Sequence, residues 1–126
     1  MPGEESALPS DLKLASRVFR IAAIYGVVVL APLYLAPVPD PWRLTHFGFI
    51  GVALVFQGVF WLISRDPAKY AALIPLGILE KLVFGVPAII FLALGKADPI
   101  AGLFGAIDLI WAAAFAIVWR RMRAAS

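Results

Sequence analysis

The chain has 126 residues, of which 63% are hydrophobic, and it carries a formal net charge of +3 with no cysteine. This length leaves room for one domain, and the apolar fraction lies well above the ~45–50% of soluble domains. The lack of cysteine excludes disulfides, thiolate chemistry and cysteine-ligated metals. We therefore treat residues 1–126 as a single integral membrane domain.

Four apolar blocks follow one another along the chain, after a polar segment, residues 1–9, that is predicted to be a loose tail. Each block has about the length that a helix needs to cross hydrocarbon. The predicted spans are residues 18–36, 44–64, 70–94 and 99–119. Because the connections are short, neighbouring helices should be antiparallel. The predicted fold is all-α, a four-helix transmembrane bundle with up-down-up-down topology.

The basic residues are spread unevenly over the ends of these spans. Two of them, Arg43 and Lys96, fall on one side of the predicted bundle. The other side carries Lys13, Arg17, Arg20, Arg65, Lys69, Arg120, Arg121 and Arg123. Cytoplasmic flanks are enriched in Lys and Arg, so both termini should be cytoplasmic. The expected location is the bacterial inner (plasma) membrane, with the lipid bilayer as a partner.

Lys13, Arg17 and Arg20 recur at helical spacing just before and within the start of the first span. We interpret this stripe as a lipid-headgroup anchor, with a specific site for an anionic lipid or a partner as the alternative. Basic residues placed beside apolar segments are not typical of a nucleic-acid surface. No nucleic-acid partner is therefore expected.

Three ionisable residues, Glu80, Lys81 and Asp108, interrupt the third and fourth spans. At ~1.5 Å rise per residue, all three lie near the middle of the membrane. A lone charge at that depth costs roughly 2.5–3.5 kcal/mol on insertion scales. Lys81 and Asp108 each share a helix face with small residues, which favour close helix contact. We predict a Lys81–Asp108 ion pair, and its role is either architectural or functional.

Glu80 points about 100° away from Lys81, so it is not expected to share that face. Tyr25 and Gln57 lie within about two turns of its depth, which makes a Tyr25–Gln57–Glu80 cluster geometrically feasible. Two interpretations stay open for Glu80. It is a neutral, hydrogen-bonded structural group, or it is a proton-accepting or substrate-binding group that opens onto a cavity.

His46 lies beside the outer interface, where a solvated histidine is the simpler interpretation and a proton-entry group or ligand the alternative. The sequence holds no HExxH motif, no phosphate-binding glycine loop and no nucleophile with a suitable base. Its single histidine rules out a haem held by two histidines of this chain. No metal or cofactor site is predicted, and no catalytic residue is identified.

Residues 64–119 contain three motifs: Ser64-Arg-Asp-Pro-Ala-Lys69, Gly77 followed by Lys81, and Asp108-Leu-Ile-Trp111 with Phe115 beyond it. This set resembles a group of small four-span bacterial membrane proteins loosely related to the DoxX-like proteins. The resemblance implies that Lys81, Asp108 and Trp111 act as one unit. Glu80 has no counterpart in the pattern.

Three functional hypotheses follow. The leading one is a non-enzymatic accessory or assembly subunit, which pairs with another membrane subunit or with itself and in which the Lys81–Asp108 pair is mainly architectural. The second is a small transporter or proton-coupled carrier that uses Glu80 as a titratable gate. The third is an enzyme acting on a quinone or lipid, with Glu80, Lys81 and Asp108 as acid–base groups. An accessible cavity at the membrane midplane would distinguish these hypotheses.

Overall fold

The structure, a computed structural model, describes residues 8–124. Its elements are α1 (Pro9–Tyr34), α2 (Asp40–Arg65), a 3-10 turn (Ala71–Leu73), α3 (Ile74–Ala93) and α4 (Pro99–Ala124). No strand occurs in this described part of the chain. Four helices, the third taken with its preceding 3-10 turn, are long and apolar enough to cross a membrane. The prediction of an all-helical bundle with four such helices is confirmed.

Helix α1 begins well before the predicted span. The predicted loose tail, residues 1–9, lies outside the described residues except for Leu8 and Pro9, and Pro9 already begins the helix. Proline suits a first helical position because its missing N–H would have no partner there. The basic first turns stay helical because Ala15 and Phe19 are buried on the opposite face. The stripe of Lys13, Arg17 and Arg20 is exposed.

The hydrophobic core lies at one end of the bundle, which we call the closed end. Phe19 of α1, Phe60 of α2 and Phe115 of α4 meet there, and all three are fully buried. The ring centroids of Phe19 and Phe115 are 4.2 Å apart, and those of Phe60 and Phe115 are 5.0 Å apart. The rest of this core consists of Ala15, Ala22, Ala23, Ile63, Ile74, Val118 and Met122. Three aromatic rings thus join three helices near the start of α1 and the end of α4.

The helices contact one another mainly as two pairs, α1 with α2 and α3 with α4, whereas α2 and α3 touch little. Small residues bring the second pair together. A Cβ atom on Gly85 would lie 3.0 Å from the Gly105 carbonyl oxygen, so glycine allows the two backbones to approach closely. Gly77, nearer the start of α3, faces Phe60 of α2 and Phe115 of α4. Positions early in α3 therefore contact positions late in α4, and positions later in α3 contact positions earlier in α4.

The turn between α3 and α4 has a defined geometry. Gly95 adopts a φ of 69°, a left-handed conformation that glycine accepts without steric cost. The Lys96 N–H donates to the Phe91 carbonyl at 2.7 Å, as in a Schellman motif. The Asp98 carboxylate then accepts the Ile100 N–H at 2.9 Å and caps the start of α4. These bonds fix Asp98 at the end of the bundle opposite the closed end.

Candidate functional site: a cavity with a charged floor

A cavity of about 760 Å³ lies between the two helix pairs, beyond the aromatic core. All four helices contribute to its lining. Its floor, near the middle of the helices, consists of Tyr25, Gln57, Glu80, Lys81 and Asp108. Its mouth, at the far end, is formed by Leu33, Thr45, His46 and Asp98. The walls between floor and mouth are mostly apolar.

Part of the wall between α2 and α3 is open to the surroundings. Val52 of α2 and Val83 of α3 line the cavity, yet they are 60% and 69% exposed. Phe49 and Phe84 span this side, with ring centroids 5.7 Å apart. In a membrane, this opening would face acyl chains, and the cavity would then be reachable from the bilayer as well as through its mouth.

Lys81 is the centre of the floor and is only 3% exposed. Its Nζ lies 3.7 Å from Asp108 Oδ1 and 3.6 Å from Glu80 Oε2. It also lies 5.1 Å from the centroid of the Phe60 ring, above the aromatic core. Both carboxylate distances exceed the ~2.7–3.2 Å of an N–H···O hydrogen bond. The ammonium group is therefore held by two loose charge contacts and a ring face.

The structure brings Lys81 and Asp108 together, as the face and depth argument predicts. It also brings Glu80 within 3.6 Å of Lys81, a contact that the helix-face argument did not consider. The two Cβ atoms do point in different directions, but the long lysine stem lets its ammonium reach a carboxylate on the adjacent residue. The floor is therefore a three-residue charge cluster rather than a simple pair.

The predicted cluster of Tyr25, Gln57 and Glu80 forms only in part. All three line the cavity, but no hydrogen bond joins them in the described part of the chain. Gln57 instead donates through Nε2 to the Ala53 carbonyl at 2.7 Å. The Tyr25 ring packs against Trp111, with centroids 5.9 Å apart. Trp111 thus contacts the floor through Tyr25.

Two buried oxygen atoms at the floor have no hydrogen-bond partner, Gln57 Oε1 and Glu80 Oε2. The Ala53 carbonyl fixes the orientation of the Gln57 amide. A carbonyl oxygen can only accept a hydrogen bond, and in the amide only the nitrogen Nε2 can donate one. A buried acceptor without a partner costs about 1–3 kcal/mol. Neither oxygen has accessible surface, so a ligand would meet these acceptors only after the Gln57 or Glu80 side chain turned toward the cavity.

His46 occupies the mouth of the cavity. Its Nε2 lies 2.7 Å from the Leu33 carbonyl and therefore donates to it, which ties the start of α2 to the end of α1. The ring is partly exposed and also contacts Phe47 edge-on. The described residues contain no group of three His, Cys, Asp or Glu side chains placed to hold a metal ion.

No known protein family, curated protein or solved structure matches the chain. The resemblance to the DoxX-like group therefore stays a prediction.

Sequence reasoning missed Gly26, which faces Gln57 from α1. A Cβ atom on Gly26 would overlap the Gln57 amide, so the absence of a side chain makes room for that group. It also missed Phe49 and Phe84 on the open side. These contacts depend on the register between helices, which hydrophobic periodicity does not encode.

Proposed function

We propose that this chain is a multi-pass protein of the bacterial inner membrane that binds a lipophilic small molecule in the cavity and acts as its carrier. The observation that supports this is the cavity of about 760 Å³ that ends on Glu80, Lys81 and Asp108. Ligand sites are typically clefts of ~300–1,000 Å³ with apolar walls and a few convergent polar groups. Ionisable groups at membrane depth that border a cavity mark substrate or ion pathways.

The open volume favours this function over a purely architectural ion pair. Protein interiors are close-packed, and unfilled space beside a buried group reduces stability. An architectural pair is best served by larger side chains that seal it. Instead, small residues, Gly48 and Ala53 of α2 and Ala101 of α4, line the cavity. The structure therefore leaves open volume beside Glu80, Lys81 and Asp108, the ionisable groups whose burial costs the most free energy.

The proposed orientation places the closed end and both termini in the cytoplasm, with the helices running up-down-up-down. The support is the charge distribution. Basic residues at the closed end outnumber Arg43 and Lys96 at the mouth end, and short cytoplasmic flanks carry such an excess. The mouth of the cavity then opens on the side away from the cytoplasm.

Glu80 is the proposed titratable gate of the carrier. Lys81 has a second carboxylate partner in Asp108, so neutralising Glu80 leaves one ion pair in place. Glu80 Oε2 accepts no hydrogen bond from the described residues, so neutralising Glu80 breaks none at that atom. A change of charge at Glu80 can therefore alter the ligand site without removing the contact between α3 and α4.

Binding is tested with three adamantane derivatives that share one apolar cage and carry an amine, a carboxylate or an alcohol. The purified protein is titrated in detergent, and its thermal midpoint is recorded. We expect at least one compound to raise the midpoint, since a ligand at about 100 times its Kd adds ~2.7 kcal/mol of stability. Ala53→Trp, which fills the cavity, should abolish the increase. Ala113→Trp, on the exposed face of α4, should retain it.

Carrier activity is tested in proteoliposomes with the compound that binds. Uptake driven by an imposed pH gradient should require Glu80, so Glu80→Gln should abolish it. Asp40→Asn, which removes a carboxylate that is 86% exposed and outside the cavity, should leave uptake unchanged. Binding by none of the three compounds, or uptake that is equal in Glu80→Gln, would contradict the proposal.

An accessory or assembly subunit is the second candidate. The observation that favours it is that Lys81 is almost fully buried and bridges α3 and α4, which are already neighbours. Removing one member of a buried pair costs about 3–5 kcal/mol. Lys81→Asp and Asp108→Lys should each reduce the yield of folded protein, and the double exchange should restore it. An architectural pair predicts full rescue with no effect on ligand binding, whereas the carrier predicts that binding stays impaired.

A further inference from the structure

The floor of the cavity holds two carboxyl groups and one ammonium group, and neither carboxyl group lies within hydrogen-bond distance of the ammonium. Lys81 is the one cationic side chain of the described floor, and the two carboxylates of Glu80 and Asp108 lie 3.6 and 3.7 Å from it. We propose that the ligand of this cavity is a lipophilic cation with N–H donors, that is, a protonated amine attached to an apolar body. This inference rests on the proposed binding function and names its substrate class.

The unused hydrogen-bonding groups are acceptors. Gln57 Oε1 has no hydrogen-bond partner among the described residues, but it lies against Gly26 of α1 and would accept from a ligand only after its side chain turned toward the cavity. Glu80 Oε2 is the second buried oxygen without a hydrogen bond. Acceptors are satisfied by donors, and an ammonium group brings up to three N–H donors with a positive charge. Hydrogen bonds to charged partners are roughly twice as strong as neutral ones.

Lys81 leaves both carboxyl groups able to accept hydrogen bonds from another donor. Its Nζ stands beyond hydrogen-bond distance from both Glu80 and Asp108, and it is partly engaged by the Phe60 ring. An anionic ligand is disfavoured by the positions of these charged groups. It would have to reach an ammonium that is only 3% exposed, past two carboxylates of its own sign.

The groups around Glu80 on the other helices fit a cation as well. Tyr25 on α1 and Gln57 on α2, which are both uncharged polar residues, line the cavity. Asp108 on α4 adds a carboxylate at the floor, and Asp98 adds another at the mouth, which the partly exposed His46 also lines. Aromatic rings of the lining, Tyr25, Phe49, Phe84 and Phe104, offer faces that attract cations.

The test uses the unmodified protein and the adamantane cage, with a fourth compound in which the amine is trimethylated. The trimethylated cation keeps the charge and the cage but has no N–H. We expect the amine to bind at least about tenfold more tightly than the alcohol and the carboxylate, a factor that corresponds to ~1.4 kcal/mol. We expect the trimethylated cation to bind more weakly than the amine.

Variants then locate the site. Glu80→Gln and Gln57→Leu should each weaken binding of the amine about tenfold, as expected for lost charge-assisted hydrogen bonds. Neither should weaken binding of the alcohol to that extent, which shows that the variants still fold. Asp40→Asn should change neither affinity.

The outcomes separate this inference from the proposed function. If the carboxylate bound as tightly as the amine, the inference that the ligand is a cation would be overturned, and the proposed carrier function would still hold. Equal binding of the amine and its trimethylated form would overturn the inference that the ligand binds through N–H donors. Binding of none of the four compounds would overturn the proposed function itself.

Discussion

At the scale of single residues, the cavity depends on how a buried amide is accommodated. Gln57 lies on α2 with its side chain against the backbone of α1, at a position where Gly26 has no Cβ atom. This contact buries Gln57 Oε1 against α1, where it has no hydrogen-bond partner among the described residues. A glycine and a glutamine on neighbouring helices thus set the position of this amide.

We predict that Gly26→Ala destabilises the protein by about 1–3 kcal/mol, the usual range for an added methyl in a packed region. The reason is that the new Cβ atom would overlap the Gln57 amide and displace it. Thermal unfolding in detergent measures the loss. Gly58→Ala is the matched control, since nothing lies within 4 Å of its Cβ position. Equal midpoints for the two variants would contradict the contact.

The sequence predicts part of this site and misses the rest for definable reasons. Counting helical rise and angle is enough to place Lys81 and Asp108 at one depth on facing small-residue strips. The contact between Gly26 and Gln57 depends on the register of α1 against α2, which periodicity leaves free. The approach of Lys81 to Glu80 depends on the bending of a long side chain, which a helical wheel does not represent.

At the scale of helices, the bundle is fastened at one end by aromatic packing. Phe115 of α4 stacks on Phe19 of α1 and contacts Phe60 of α2, so it joins both helix pairs. Four apolar blocks predict four helices, and the structure has them. They do not predict that packing between the pairs concentrates at one end, because every block is similarly apolar along its length.

We predict that Phe115→Ala costs about 3–5 kcal/mol, as large-to-small changes in a core do. The lost ring would leave Phe19 and Phe60 without their shared partner, so the two helix pairs should separate more easily. Denaturant titration of the purified protein measures the change. Phe91→Ala is the control, because that ring is 49% exposed and lies outside the core. A loss no greater than that of the control would contradict the role of the aromatic core.

At the scale of the whole molecule, the two ends of the bundle differ in construction. The closed end has a packed apolar core, and the other end has a cavity that descends to Glu80, Lys81 and Asp108. The proposed carrier function requires that a ligand enters this cavity from the side away from the cytoplasm or from the bilayer and stops at the charged floor.

Cysteine labelling tests this claim most directly, because the chain has no cysteine and each introduced thiol is the single one present. Ala53→Cys places a thiol in the cavity wall, and Ala22→Cys places one in the core, where Ala22 is fully buried. We predict that a membrane-impermeant maleimide added to intact cells labels Ala53→Cys, and labels Ala22→Cys only after denaturation. Labelling of Ala53→Cys that requires denaturation, or that occurs only in inverted membrane vesicles, would contradict the account.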